Sequence, residues 1–174
     1  MKKIIGIMLV ALVASGCVTL KQGGSITSFK ENWAVLPFIN NTETPYAGER
    51  AESIAAALLY THGVQSLERP SAEAVKPEDQ LGIDRGEQRQ RAAMELAKQK
   101  KVKYVLVGTV NEWRYKVGLD GEPVVGFTLQ VVELPESRVV WSGAAGKSGW
   151  SRDAVSSVAQ QVLERLLSEF TVQK

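Results

Sequence analysis

YVLVGTVNEWRYKVGLDGEPVVGFTLQVVELPESRVVWS (104–142) is the stretch on which the fold reading turns. Tyr104 to Val110 is a strong apolar run, and Trp113 and Tyr115 then alternate with Glu112, Arg114 and Lys116 at the period of a strand. Gly118-Leu119-Asp120-Gly121-Glu122-Pro123 has turn composition, and Val124 to Leu134 reads as the next strand. Pro135-Glu136-Ser137 turns the chain again into Arg138-Val139-Val140-Trp141-Ser142. Three successive strands joined by short loops predict an antiparallel meander.

Upstream, Trp33-Ala34-Val35-Leu36-Pro37-Phe38 is a short apolar run bounded by Asn32 and Asn40-Asn41, as expected for a buried strand. After a loop from Asn40 to Tyr46, Ala47, Ala51, Ile54, Ala55, Leu58 and Leu59 recur at helical spacing, and Gly63 stops that helix. Val64 to Leu67 offers a second strand, and Pro70 to Leu81 reads as an irregular connection. Asp84 and Glu87 have the spacing of a capping box, before a helix that turns Ala92, Ala93, Leu96 and Ala97 inward. Its other face, from Arg89 to Lys101, is charged and suits solvent. Downstream, Gly143 to Gly149 is loop-like. Ser151 is placed to cap a last helix lined by Val155, Val158, Ala159, Val162, Leu166 and Phe170. Each helix has one apolar stripe to bury against a sheet. The expectation is therefore an α/β fold: a single mixed sheet flanked by about three helices, in the order β-α-β-α-β-β-β-α.

The chain begins with Lys2-Lys3 and an apolar run from Ile4 to Val13, too short to span a bilayer as a helix. Ala14-Ser15-Gly16-Cys17 follows, and it resembles a bacterial lipobox with alanine where leucine is usual. Acylation of Cys17 accounts for the single cysteine of the sequence, which has no partner for a disulfide. The alternative is an ordinary signal peptide cut nearby. Cleavage before Cys17 leaves 158 of the 174 residues and removes Lys2 and Lys3, so that basic and acidic side chains balance at 19 each. That balance gives no sign of a nucleic-acid binder. Residues 1–16 thus read as a lipoprotein signal peptide, 17–30 as an acylated flexible tether, and 31–174 as one α/β domain. The polar, Gly-rich Lys21-Gln22-Gly23-Gly24-Ser25 carries the tether reading. Val18 rather than aspartate after Cys17 points, by the sorting habit of enteric lipoproteins, to the periplasmic face of the outer membrane.

Catalytic sets are not evident. His62, the one histidine, falls at a predicted helix end, and neither a phosphate-binding loop nor a nucleophile elbow is present. No clustered ligands suggest a metal site, so neither enzyme activity nor a cofactor beyond the lipid on Cys17 is expected. Two features stand apart. Trp150, in a glycine-rich segment with Lys147 and Arg152, suits a membrane interface; covering the core or filling a subunit contact are its alternatives. Asp120, with Glu122, is simple turn chemistry in a monomer. In a ring of subunits it becomes a circle of negative charge that guides cations.

WAVLPFINNTETPYAGERAESIAAALL (33–59), VGTVNEWRYKVGLDGEPVVGFTLQVVE (107–133) and VVWSGAAGKSGWSRDAVSSVAQQVLERLL (139–167), with the lipobox, resemble the PelC family of outer-membrane lipoproteins of Pel exopolysaccharide export. More broadly the pattern resembles the periplasmic α/β module of CsgG-like lipoproteins. The resemblance implies a ring of about a dozen subunits on the outer membrane, guiding a partly cationic polymer to a PelB β-barrel. It implies that Trp150 seats the ring in the membrane, that Asp120 and more weakly Glu122 line it with acid, and that Cys17 is acylated. The rival from another class is a monomeric lipoprotein of the LpoB type, which binds and activates a peptidoglycan synthase and needs a long tether. A curli-like pore ranks last, for want of long amphipathic spanning strands.

Overall fold

The computed structural model describes residues 18–26, 28–70, 85–118, 121–168 and 170. Within them run β1 (Val18–Gly24), β2 (Asn32–Val35), β3 (Ile39–Asn40), α1 (Ala47–Thr61), β4 (Ser66–Glu68), α2 (Arg85–Gln99), β5 (Tyr104–Tyr115), β6 (Pro123–Glu133), β7 (Arg138–Ser148) and α3 (Val155–Ser168). The strands form a 7-stranded sheet in the order β1-β7-β6-β5-β2-β4, with β3 also beside β5. β2 and β3 run parallel to β5 and line successive parts of the same edge, Val35 opposite Leu106 and Asn40 opposite Val110. The β5-β6-β7 meander is antiparallel, and so is the pairing of β1 with β7. The sheet is mixed and the fold α/β, as the strand and helix periods predict.

One face of the sheet carries α1 and α3. Trp33, Tyr104, Leu106, Trp113, Phe127, Leu129, Val131 and Trp141 are buried there against Ala51, Ala55 and Leu59 of α1 and Val158, Val162, Leu163 and Leu166 of α3. The other face is covered over a smaller area by α2, whose Ala93 and Ala97 pack on Ala34, Leu36 and Val105. Aromatic rings knit the larger core: Phe170 lies edge-on to Trp141 at 4.6 Å and stacks on Trp33 at 6.1 Å. Pairs of this kind add about 1 kcal/mol each beyond their area.

Several expectations are corrected. Residues 19–30 are not a free tether throughout, because Val18–Gly24 is a strand with Leu20 partly buried against the core. Residues 143–148 are not a loop: β7 continues to Ser148, paired with β6 and, as far as Lys147, with β1. Small residues are needed there, since a side chain at Gly143 would meet the Trp141 ring at 2.7 Å. Ser151 does not cap the last helix; Asp153 fills the turn before it, accepting from the Trp150 N–H at 2.8 Å. On α2, Leu96 is exposed rather than inward. Val64 to Leu67 becomes the shorter β4, and Asn40 ends β3 instead of opening the loop. Gly63 does end α1, in the left-handed conformation that favours glycine (φ 98°). Asp84 and most of the expected irregular connection (71–84) lie outside the described residues.

Candidate membrane-facing end of the sheet

The site is one end of the sheet, where β5 finishes, β6 begins and β7 finishes. Tyr115 stands opposite Pro123, Val124 opposite Ser148, and Val18 opposite Lys147. The first residue of β1, the start of the β6 strand and the exit of β7 therefore lie together. The Gly149 N–H donates to the Pro123 carbonyl at 2.8 Å and closes the group. A side chain at Gly149 would meet Val158 at 2.6 Å and Asp153 at 2.9 Å, so only glycine lets the chain pass between them. The next residue, Trp150, is turned outward and is 63% exposed. Its backbone is held on both sides, the N–H by the Asp153 carboxylate and the carbonyl by the Asp153 N–H at 2.9 Å. An indole on a backbone fixed in this way is presented, not loose.

The charged neighbours differ in how they are used. Arg152 is exposed with no charge partner among the described residues. Lys147 donates to Gln161 of α3 at 2.5 Å, so its ammonium is drawn across the surface of the domain. Glu122 pairs with Lys116 at 2.8 Å across the base of the β5–β6 turn, which also joins the Lys116 N–H to the Glu122 carbonyl. Cys17 and Asp120 lie outside the described residues, but each is a single residue away from a described one, Val18 and Gly121. Glu122 and Trp150, each next to one partner of the Gly149–Pro123 bond, belong to the same end of the sheet. His62 is half-buried beyond α1 with its ring 6.5 Å from Phe29, and its Nε2 is buried without a partner.

Sequence reasoning missed two parts of this end. Val117 is fully exposed beside Tyr115, whose hydroxyl accepts the Val155 N–H at the start of α3. Along the edge of β5 lies an open cleft of about 860 Å³, between the loop 41–45 and residues 111–115. Strand alternation marks Tyr115 but says nothing of an edge, because an edge is defined by which strand is missing. Among the described residues no group of three or more His, Cys, Asp or Glu is placed to hold a metal, and no helix is long and apolar enough to cross a membrane.

No family model matches the chain, and no curated protein matches it. Among solved structures, the chain is similar to the PelC dodecamer from Paraburkholderia phytofirmans, with 36% identity and a TM-score of 0.75 over 91% of this chain and 100% of that one. A dodecamer of a single-residue variant of the same PelC gives 37% identity and a TM-score of 0.71, over 88% and 99%. Lipoprotein GNA1162 from Neisseria meningitidis shares the fold, at 18% identity and a TM-score of 0.56 over 80% and 96%. With more than a third of its residues identical over the whole of a PelC chain, this chain belongs to the PelC family.

Proposed function

We propose that this protein is a non-enzymatic lipoprotein of the outer membrane, acylated at Cys17, that assembles into a periplasmic ring and guides a cationic exopolysaccharide, Pel, to a PelB-like export barrel. The observation that carries the reading is the end of the sheet. Val18 is paired opposite Lys147, and Trp150 stands exposed three residues further on. Neighbouring Cα atoms are 3.8 Å apart, so a lipid on Cys17 leaves almost no slack between the bilayer and this end. Trp150 then meets the headgroup layer, where indoles concentrate, and Arg152 is free to meet anionic groups. Relatives that form dodecamers support the assembly. In such a ring Asp120 supplies one carboxylate per subunit, and Glu122 adds less because Lys116 neutralises it. The LpoB-type reading needs a long leash, and β1 takes up the residues that would form it.

The test is the mass of the lipidated mature protein in detergent, by native mass spectrometry, together with the variant Trp150→Ala. A species near twelve subunits is expected for both, with polymer export reduced in the variant at normal abundance. A monomer at every concentration contradicts the ring, and unchanged export by Trp150→Ala contradicts the seating role.

A further inference from the structure

β5 is long, and β2 and β3 cover one of its edges only as far as Val110. Beyond that point, residues 111–115 have β6 on one edge and, among the described residues, no strand on the other. The Asn41 N–H reaches the Val110 carbonyl at 2.9 Å, and the Thr44 hydroxyl donates to the Trp113 carbonyl at 2.5 Å. The rest of that edge faces the cleft of about 860 Å³. Residues 111–115 extend about 17 Å, the length of a short strand, with the Trp113 carbonyl already taken by Thr44.

The rim of the cleft is where apolar surface is left open. Tyr115 is 49% exposed, Val117 is 102% exposed, and Tyr46, next to the lining residue Pro45, is 70% exposed. The Trp113 side chain belongs to the core, edge-on to Phe127, and is not open to the cleft. Two exposed tyrosines, with Arg114 beside them, have the composition of a protein contact. The loop that forms the far wall is already rigid: Asn40 accepts from both the N–H and the hydroxyl of Thr42 and donates to the Thr44 carbonyl at 2.8 Å.

We propose that this cleft receives the outer edge of β1 from a second copy of the same chain. The inference rests on the multimeric reading above, drawn from dodecameric relatives. Head-to-tail assembly needs two different patches on each copy. The outer side of β1 is the second bare edge: it is the terminal strand of the sheet, with Thr19, Lys21, Gln22, Gly23 and Gly24 exposed. Strand addition joins such edges through main-chain hydrogen bonds. The charges agree with the pairing. Lys21 on β1 and Glu43 at the cleft are both exposed, and neither has a charge partner among the described residues. The N-terminal strand, rather than a helix face, links one copy to the next.

The test uses the lipidated mature protein in detergent. Val117→Asp changes a fully exposed side chain, so unfolding is not expected, and circular dichroism checks this. At concentrations where the wild type is multimeric, the variant should fall to monomer. In the second arm, Lys21→Cys and Glu43→Cys are combined, the native Cys17 thiol being blocked by its lipid. A short bismaleimide should then give a ladder of linked copies on a denaturing gel, with neither single variant doing so. A multimeric Val117→Asp protein, or a multimeric double variant with no ladder, overturns the inference and leaves the ring intact. Saccharide entering the cleft instead of a second copy would give that same multimeric Val117→Asp result. A monomeric wild type defeats the ring reading itself, which is a different outcome.

Discussion

Glu133 shows how a single side chain can fasten three elements. It ends β6 opposite Arg138, the first residue of β7, and both Arg138 and Lys103 bond to its carboxylate, Lys103 at 3.0 Å. The Arg138 guanidinium first, and the Lys103 ammonium second, hold the Glu133 carboxyl below the usual carboxylate range. A carboxyl lowered on folding stabilises fully above its ordinary value, and the contribution is lost as pH falls through the lowered one. Glu133→Gln should therefore cost about 1 kcal/mol at pH 7, modest because both cations reach solvent. The difference from wild type should shrink as pH falls below the ordinary carboxylate value of 4.5, measured by thermal melting across pH. The Glu133–Arg138 half of this cluster is legible in the sequence, since the two residues flank the turn 134–137. Lys103 is not: its approach depends on β5 and β6 pairing, which brings the Leu134 N–H to the Lys103 carbonyl. The site residues divide in the same way. Trp150 could be singled out by its glycine neighbours, whereas the pairing of Glu122 with Lys116 needed the turn geometry.

At the scale of elements, the meander and the three helices could be read because their apolar periods are strong. Two stretches of strand that escaped reading, β1 and the second half of β7, are poor in large apolar residues. Among its described side chains β1 contributes one partly buried hydrophobic, Leu20, and it gains its place from main-chain bonds to β7. The second half of β7 is built from Gly143, Ala144, Ala145 and Gly146, and close approach of the Trp141 ring explains the glycine at 143. Gly108 in β5 does the same for Phe38, whose ring atoms would lie 2.5 Å from an added Cβ. Local composition says tether or loop at such places, and only the neighbouring strand says otherwise. Hydrogen exchange separates the two readings. Alternate amides of residues 19–23, those bonded to β7, should exchange at least tenfold more slowly than a free chain, and uniform fast exchange would deny β1 its strand.

For the molecule as a whole, the proposed lipid on Cys17 would leave no slack before β1 and would tie orientation to anchoring. Ten Gly/Ser residues inserted between Cys17 and Val18 should leave the melting temperature unchanged and reduce quenching of Trp150 by brominated lipid severalfold. Equal quenching would mean that Trp150 finds the bilayer without help from the anchor. The aromatic cluster carries a consequence of another kind. Phe29 and Phe170 stack at 6.2 Å, so that the chain's early and late residues share one hydrophobic knot. Val158, Val162, Leu163, Leu166 and Leu167 of α3 fill the same core. A polypeptide emerging from its N-terminus cannot close that core until residue 170 has followed. Until then the chain stays open and can still be threaded; its order of delivery sets the moment at which it becomes a solid object.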